Sequence, residues 1–120
     1  MPNAIKAGSL AYYQSASAEE TKIVSSGPVD LYYAQVTIED SADADSYFFQ
    51  VWDGGTSGTL LLELKIRHTA DGSDPIGFTS AYLPIHAATS LTFAVSETAG
   101  SFDDAAGDIA RFYAQYQEVR

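Results

Sequence analysis

Cysteine is absent from the 120 residues. That excludes a disulfide scaffold and any thiolate metal site, and it fits a reducing compartment. Long apolar runs are absent too. No uninterrupted stretch approaches the roughly 20 residues that a membrane helix needs. The first ten residues, MPNAIKAGSL, carry one lysine and no apolar core, so they do not read as a secretory signal. A soluble chain that does not export itself is the expectation. Basic residues are scarce, with 6 Lys and Arg against 16 Asp and Glu for a net charge of -10. Lys6, Lys22, Lys65, Arg67, Arg111 and Arg120 form no run. Displacing counterions from phosphate needs clustered cations, so nucleic acid is not an expected partner, and with no membrane-length apolar run neither is a membrane. Strong acidity favours solubility and makes self-repulsion a control on assembly.

Helical periodicity is also nearly missing. Apolar alternation and turn residues take its place, which is the pattern of an all-β domain. The 46% hydrophobic and 12% aromatic content is enough for one core in one domain. Seven strands are expected: 21–25, 30–39, 46–52, 59–67, 78–85 (broken near Pro84), 90–97 and 109–119. In TLLLELKIR, Leu60, Leu62, Leu64 and Ile66 alternate with Glu63, Lys65 and Arg67. Residues 109–119, IARFYAQYQEV, read as a strand in preference to a helix, because Ala110, Phe112, Ala114 and Tyr116 then share a face. Turn clusters recur at SGP, SADAD, GGTSG, ADGSDP and TAGSFDDAAGD. Short strands with regular turns imply an antiparallel β-sandwich, jelly roll or small barrel. Residues 1–20 lack a period and are expected to form an extended arm outside a sandwich of residues 21–120. They carry Ile5, Leu10, Tyr12 and Tyr13, which are costly to leave in water as a patch. The arm would therefore lie on a neighbouring subunit or add an edge strand to its own sheet.

No pattern for chemistry stands out. Nucleophilic catalysis needs a hydroxyl or thiol beside a base. His68 and His86 both fall at strand ends or in loops, and no GxSxG elbow is present. Glu63 lies on a strand but points away from its apolar face, and the other acids sit mostly in polar turns. Paired catalytic carboxylates are not expected there. The clusters Asp40, Asp43, Asp45 and Asp103, Asp104, Asp108 lack the EF-hand spacing and read as turn residues. The loop GGTSGT lacks the lysine and following helix of a phosphate cradle. No cofactor and no small-molecule ligand are expected.

The aromatics are the distinctive feature. In YFFQVWD, Tyr47, Phe49 and Val51 share one face while Phe48, Gln50 and Trp52 share the other. Tyr32, Tyr33, Tyr113 and Tyr116 show the same two-sided pattern. Trp52 could be a sugar platform. Two-sided aromatics point more to subunit contacts, where tyrosine offers area with a polar tip, than to a central strand covered on both sides by the chain's own core or to a ligand platform. The candidate interface set is Ile5, Leu10, Tyr12, Tyr13, Tyr32, Phe48, Trp52 and Tyr113.

The segments KIVSSGPVDLYYAQVTIED, SYFFQVWDGGTSGTLLLELKI and GFTSAYLPIHAATSLTFAVSE (22–40, 46–66 and 77–97) cover about half of the chain. Together they resemble small virion proteins of tailed bacteriophages. Those carry an opening xVxxxxGxLYxxxVxN strand pair, a YxxVxD strand, a short glycine loop, an LP or FP edge and a GLxxxxS strand. This chain departs from the pattern with Asp40 where Asn is usual and with Ala88 and Thr89 in place of the glycine before the penultimate strand. The resemblance implies a jelly-roll-like sandwich without catalytic activity that decorates or cements the capsid. It implies a homotrimer that binds the major capsid protein or another virion protein, located in virions assembled in the host cytoplasm. A neck, tail, baseplate or fibre component is the alternative within that family, and a carbohydrate-binding sandwich is the alternative outside it.

Overall fold

In a computed structural model, residues 10–38, 46–67, 76–78, 84–104 and 106–119 are described. They form nine strands: β1 (Ala11–Gln14), β2 (Thr21–Ser25), β3 (Val29–Ile38), β4 (Ser46–Asp53), β5 (Thr59–Arg67), β6 (Ile76–Phe78), β7 (Ile85–Ala87), β8 (Leu91–Ser96) and β9 (Ala110–Glu118). Every pairing is antiparallel. One sheet runs β1-β9-β3-β6, with β7 also on β3; the other runs β2-β8-β4-β5. β6 pairs with residues 34–36 of β3 and β7 with residues 29–31. The two short strands therefore share one lane, and the sandwich has four lanes in each sheet.

The order has a simple logic. The first lane pairs with the last (β1·β9), the second with the second last (β2·β8), the third with the shared lane (β3·β6 and β3·β7), and the middle two pair as a hairpin (β4·β5). Rolling that long hairpin brings β3 beside β9 and β4 beside β8. This is a jelly roll. The expected all-β antiparallel sandwich is the fold observed.

Three sequence expectations change. The segment expected as one strand at 78–85 is two, Ile76–Phe78 and Ile85–Ala87. Pro84, which has no N–H for a ladder, stands just ahead of the second. The expected arm is part of the sandwich from Ala11 on: of its two alternatives, an edge strand on the chain's own sheet is the one found among the described residues. Ala11–Gln14 pairs along its length with β9 as an edge strand. The chain then stays beside β9 through Ser15 N–H to Phe112 O (2.9 Å) and a two-way bond between Glu19 and Ala110. The alternation of β5 also breaks. Between Val51 and Trp52 the register shifts, so Trp52 faces Leu60 while Val51 faces Leu62. Leu61, the extra residue of the bulge, packs against the core with Leu62 and Leu64.

The core lies between the sheets. Phe49 (β4), Phe93 (β8) and Phe112 (β9) meet with ring centroids 5.2–5.8 Å apart and join the two layers. Alternation supplies the rest: Val29, Leu31, Ala34, Val36 and Ile38 from β3, Tyr47 and Val51 from β4, and Ile66 from β5. Residues 109–119 are strand, and Ala110, Phe112 and Ala114 are buried as the alternation requires.

Candidate functional site

The two outer faces of the sandwich are finished differently. On the β2-β8-β4-β5 sheet the outer face is closed by the chain itself. Gln50 points outward yet is fully buried. Its Nε2 donates to Glu63 Oε2 (2.8 Å), Ser101 O (2.9 Å) and Thr98 O (3.3 Å), and its Oε1 accepts from Trp52 Nε1 at 3.1 Å. Glu63 Oε2 also accepts Gly100 N–H at 2.9 Å. Ser96 Oγ accepts from the N–H groups of Thr98 and Asp103. The β8–β9 connection is thus stapled over the sheet, and Trp52 is 5% exposed.

The turn from β4 to β5 is held just as locally. Gly54 and Gly55 adopt positive φ, and Gly58 N–H bonds Gly55 O at 3.0 Å. The Asp53 carboxylate accepts the N–H groups of Ala88, Thr89 and Ser90 at 3.0, 2.8 and 3.2 Å. These bonds, Thr89 first, hold its pKa below the ordinary aspartate value. The glycine loop is a strand connection, as its sequence implies.

Among the described residues, nothing is stapled over the other outer face. In the β1-β9-β3 register, Tyr12, Gln115 and Tyr33 form one cross-strand row. The next row is Gln14, Tyr113 and Gln35, and the third pairs Arg111 with Thr37. Tyrosine and glutamine therefore alternate in both directions across three strands. Tyr113 sits at the centre. Its ring lies 6.3 Å from Tyr12 at 33° and 6.0 Å from Tyr33 at 62°, and its hydroxyl accepts Gln115 Nε2 at 2.9 Å. Tyr12 is 69% exposed. Beside Tyr113 a shallow depression of about 240 Å³ is bounded by Gln14, Gln35, Thr37 and Arg111. These three rows contain no carboxylate, in a chain of net charge -10.

The predicted interface residues scatter. Tyr12 and Tyr113 come together on the outer β1-β9-β3 face. Tyr13 points to the opposite side of β1, where it packs against the core. Its hydroxyl bonds Glu19, and burial, then that bond, push its pKa up. Lys22 Nζ lies 5.2 Å from its ring centroid. Tyr32 is half-buried in a bulge of β3, where the pairing with β9 steps from Leu31 to Tyr33. Phe48 is half-buried on the other sheet, opposite Lys65 and Ser96. Trp52 is covered by its own chain and offers a partner neither a sugar platform nor a contact face. Leu10 is 40% exposed just before β1, and Ile5 lies outside the described residues.

Tyr33, Gln14, Gln35 and Gln115 were missed. Their signal is a triplet repeated three times, Tyr12-x-Gln14, Tyr33-x-Gln35 and Tyr113-x-Gln115. A spacing of two puts both residues on one face of a strand. The candidates for chemistry remain apart. His86 Nδ1 meets Asp30 Oδ1 at 2.8 Å on the surface. His68, Asp40, Asp43 and Asp45 lie outside the described residues. Among the described residues no three His, Cys, Asp or Glu side chains are grouped to hold a metal ion. No protein-family model matches the chain, and no curated protein matches it.

Proposed function

We propose that this protein is a non-catalytic structural component of a tailed-bacteriophage virion, of the kind that decorates or cements the capsid. The observation that carries the reading is the rolled strand order of a jelly roll, found in a chain whose segments 22–40, 46–66 and 77–97 resemble such proteins. Jelly rolls serve in viral capsid domains, lectins and cupins alike, so the fold narrows the role and the resemblance selects within it.

In this reading the protein forms a homotrimer and binds the major capsid protein of the assembled head. The side of the sandwich where β1 and β2 end their sheets suits that contact. Among the described residues it presents strand edges without a neighbouring strand, with exposed Leu10 (40%) and Ile23 (63%). A ligand that binds only the assembled shell stabilises it by mass action. The charge of -10 keeps free trimers apart until a surface of opposite or mixed charge is present.

Sedimentation of the purified protein, alone and with heads that lack it, tests this. A trimer that co-sediments with heads, and an Ile23→Arg variant that does so less, is the expected result. A monomer that leaves the heads bare rejects the role.

A further inference from the structure

We propose that the outer β1-β9-β3 face is a binding site for a neutral oligosaccharide. The proposal does not depend on the virion role. It rests on the tyrosine–glutamine alternation, the absence of carboxylates from its three rows and the tilt of the rings.

Sugars have apolar C–H faces and rims of hydroxyls. A tyrosine ring offers an apolar surface with a polar tip, and a glutamine amide offers a donor pair and an acceptor that match neighbouring hydroxyls. The face supplies both in alternation: Tyr12, Tyr33 and Tyr113 with Gln14, Gln35 and Gln115. Gln115 is tied to the Tyr113 hydroxyl, which fixes both side chains before a ligand arrives. The depression beside Tyr113 gives one sugar unit a seat among Gln14, Gln35 and Thr37.

Charge selects a neutral ligand. Arg111 is the sole charged residue in the three rows. One arginine is too few to hold a polyanionic glycan, and the three rows hold no carboxylate for a cationic one; Asp30, in the next row of β3, is taken up by His86 Nδ1 at 2.8 Å. Ring geometry selects further. Tyr12 and Tyr33 are inclined to Tyr113 by 33° and 62°, so the three rings do not share a plane. A flat crystalline polysaccharide would touch one ring at a time, whereas a single soluble chain can turn to follow them.

The test is calorimetric titration of the full chain with soluble gluco-, xylo-, manno- and galacto-oligosaccharides, using a sulfated oligosaccharide as the anionic control. At least one neutral probe is expected to bind. Tyr113→Ala and Tyr33→Ala are expected to weaken binding roughly tenfold or more each. Tyr113→Phe, which keeps the ring, should retain most of the affinity. Circular dichroism establishes that each variant is folded, and Trp52 emission should not respond, because Trp52 lies under the opposite face. The proposal is overturned if no neutral probe binds, if only the sulfated control binds, or if both alanine variants bind as well as the parent. It is also overturned if sedimentation finds the parent self-associated through this face and Tyr113→Ala dissociated.

Discussion

Gln50 is an amide sealed beneath a loop, and replacing it with leucine removes every polar contact while keeping the volume close. Trp52 Nε1 would lose Gln50 Oε1, the acceptor at 3.1 Å. A buried donor left unsatisfied costs about 1–3 kcal/mol. The single Ser96 Oγ proton is still within reach of the Thr98 and Ser101 carbonyls, one at a time, and Glu63 still receives Gly100 N–H. Loss of the bond to the half-buried Glu63 carboxylate adds about 1.5 kcal/mol, the low end for a charged partner. The expected total is about 3 kcal/mol, a large part of the roughly 5–15 kcal/mol that stabilises a domain. For a chain of this length it corresponds to a Tm lower by about 10 °C. Urea unfolding followed by fluorescence is well suited, because Trp52 is the chain's one tryptophan and lies at the lesion. Its emission should shift to the red even before unfolding, as the 97–103 connection loosens. A double-mutant cycle with Trp52→Phe, read by circular dichroism, should give a coupling of about 1 kcal/mol or more. A loss below about 1 kcal/mol with unchanged emission would refute the argument that this loop is held down by Gln50.

Further outcomes follow from the turns and the titrating groups. Gly58→Ala places a methyl carbon onto the Asp53 carbonyl oxygen and 3.0 Å from Gly54 O, so thermal unfolding should register a loss of about 1–3 kcal/mol. The Asp53 carboxyl is depressed in the folded state, so its contribution is complete above the ordinary value of 3.8 and is lost as pH falls through the folded value. Asp53→Asn should lower stability at neutral pH and flatten the acid limb below pH 3.8; an unchanged acid limb would contradict the role of its three N–H bonds. Glu20 has the opposite sign. Burial first, and then Asp104, Asp108 and Asp103, raise its pKa above 4.5, so its ionised form costs stability at neutral pH and the cost disappears as pH falls toward 4.5. Glu20→Gln should stabilise slightly at pH 7, by less than about 1 kcal/mol for so exposed a group, and the gain should vanish near pH 4.5.

What the sequence revealed was what alternation encodes. Leu62, Leu64 and Ile66 face the core, and Phe112 and Ala114 face it from the last strand, because one buried face imposes a period of two. What it hid is non-local. The bulge that turns Leu61 inward and leaves Leu60 opposite Trp52 depends on the partner strand. Burial of Trp52 depends on a loop some fifty residues away, bonded to Gln50 (sequence separations 48 and 51). Two-sided aromatics on β4 suggested a partner; a local staple covers Trp52, while Phe48 stays half-buried. The tyrosine face was half visible. Each Tyr-x-Gln triplet marks one strand face, but only the register of β1 on β9 and β9 on β3 sets the three side by side.

The most direct test of the proposed role, in which a tailed phage encodes this chain, is quantitative mass spectrometry of that phage's purified particles. The account predicts the protein in a fixed ratio to the major capsid protein, and stripped from intact heads as a trimer. Particles that assemble without it, or hold it only in trace amounts unrelated to the head protein, would contradict that role.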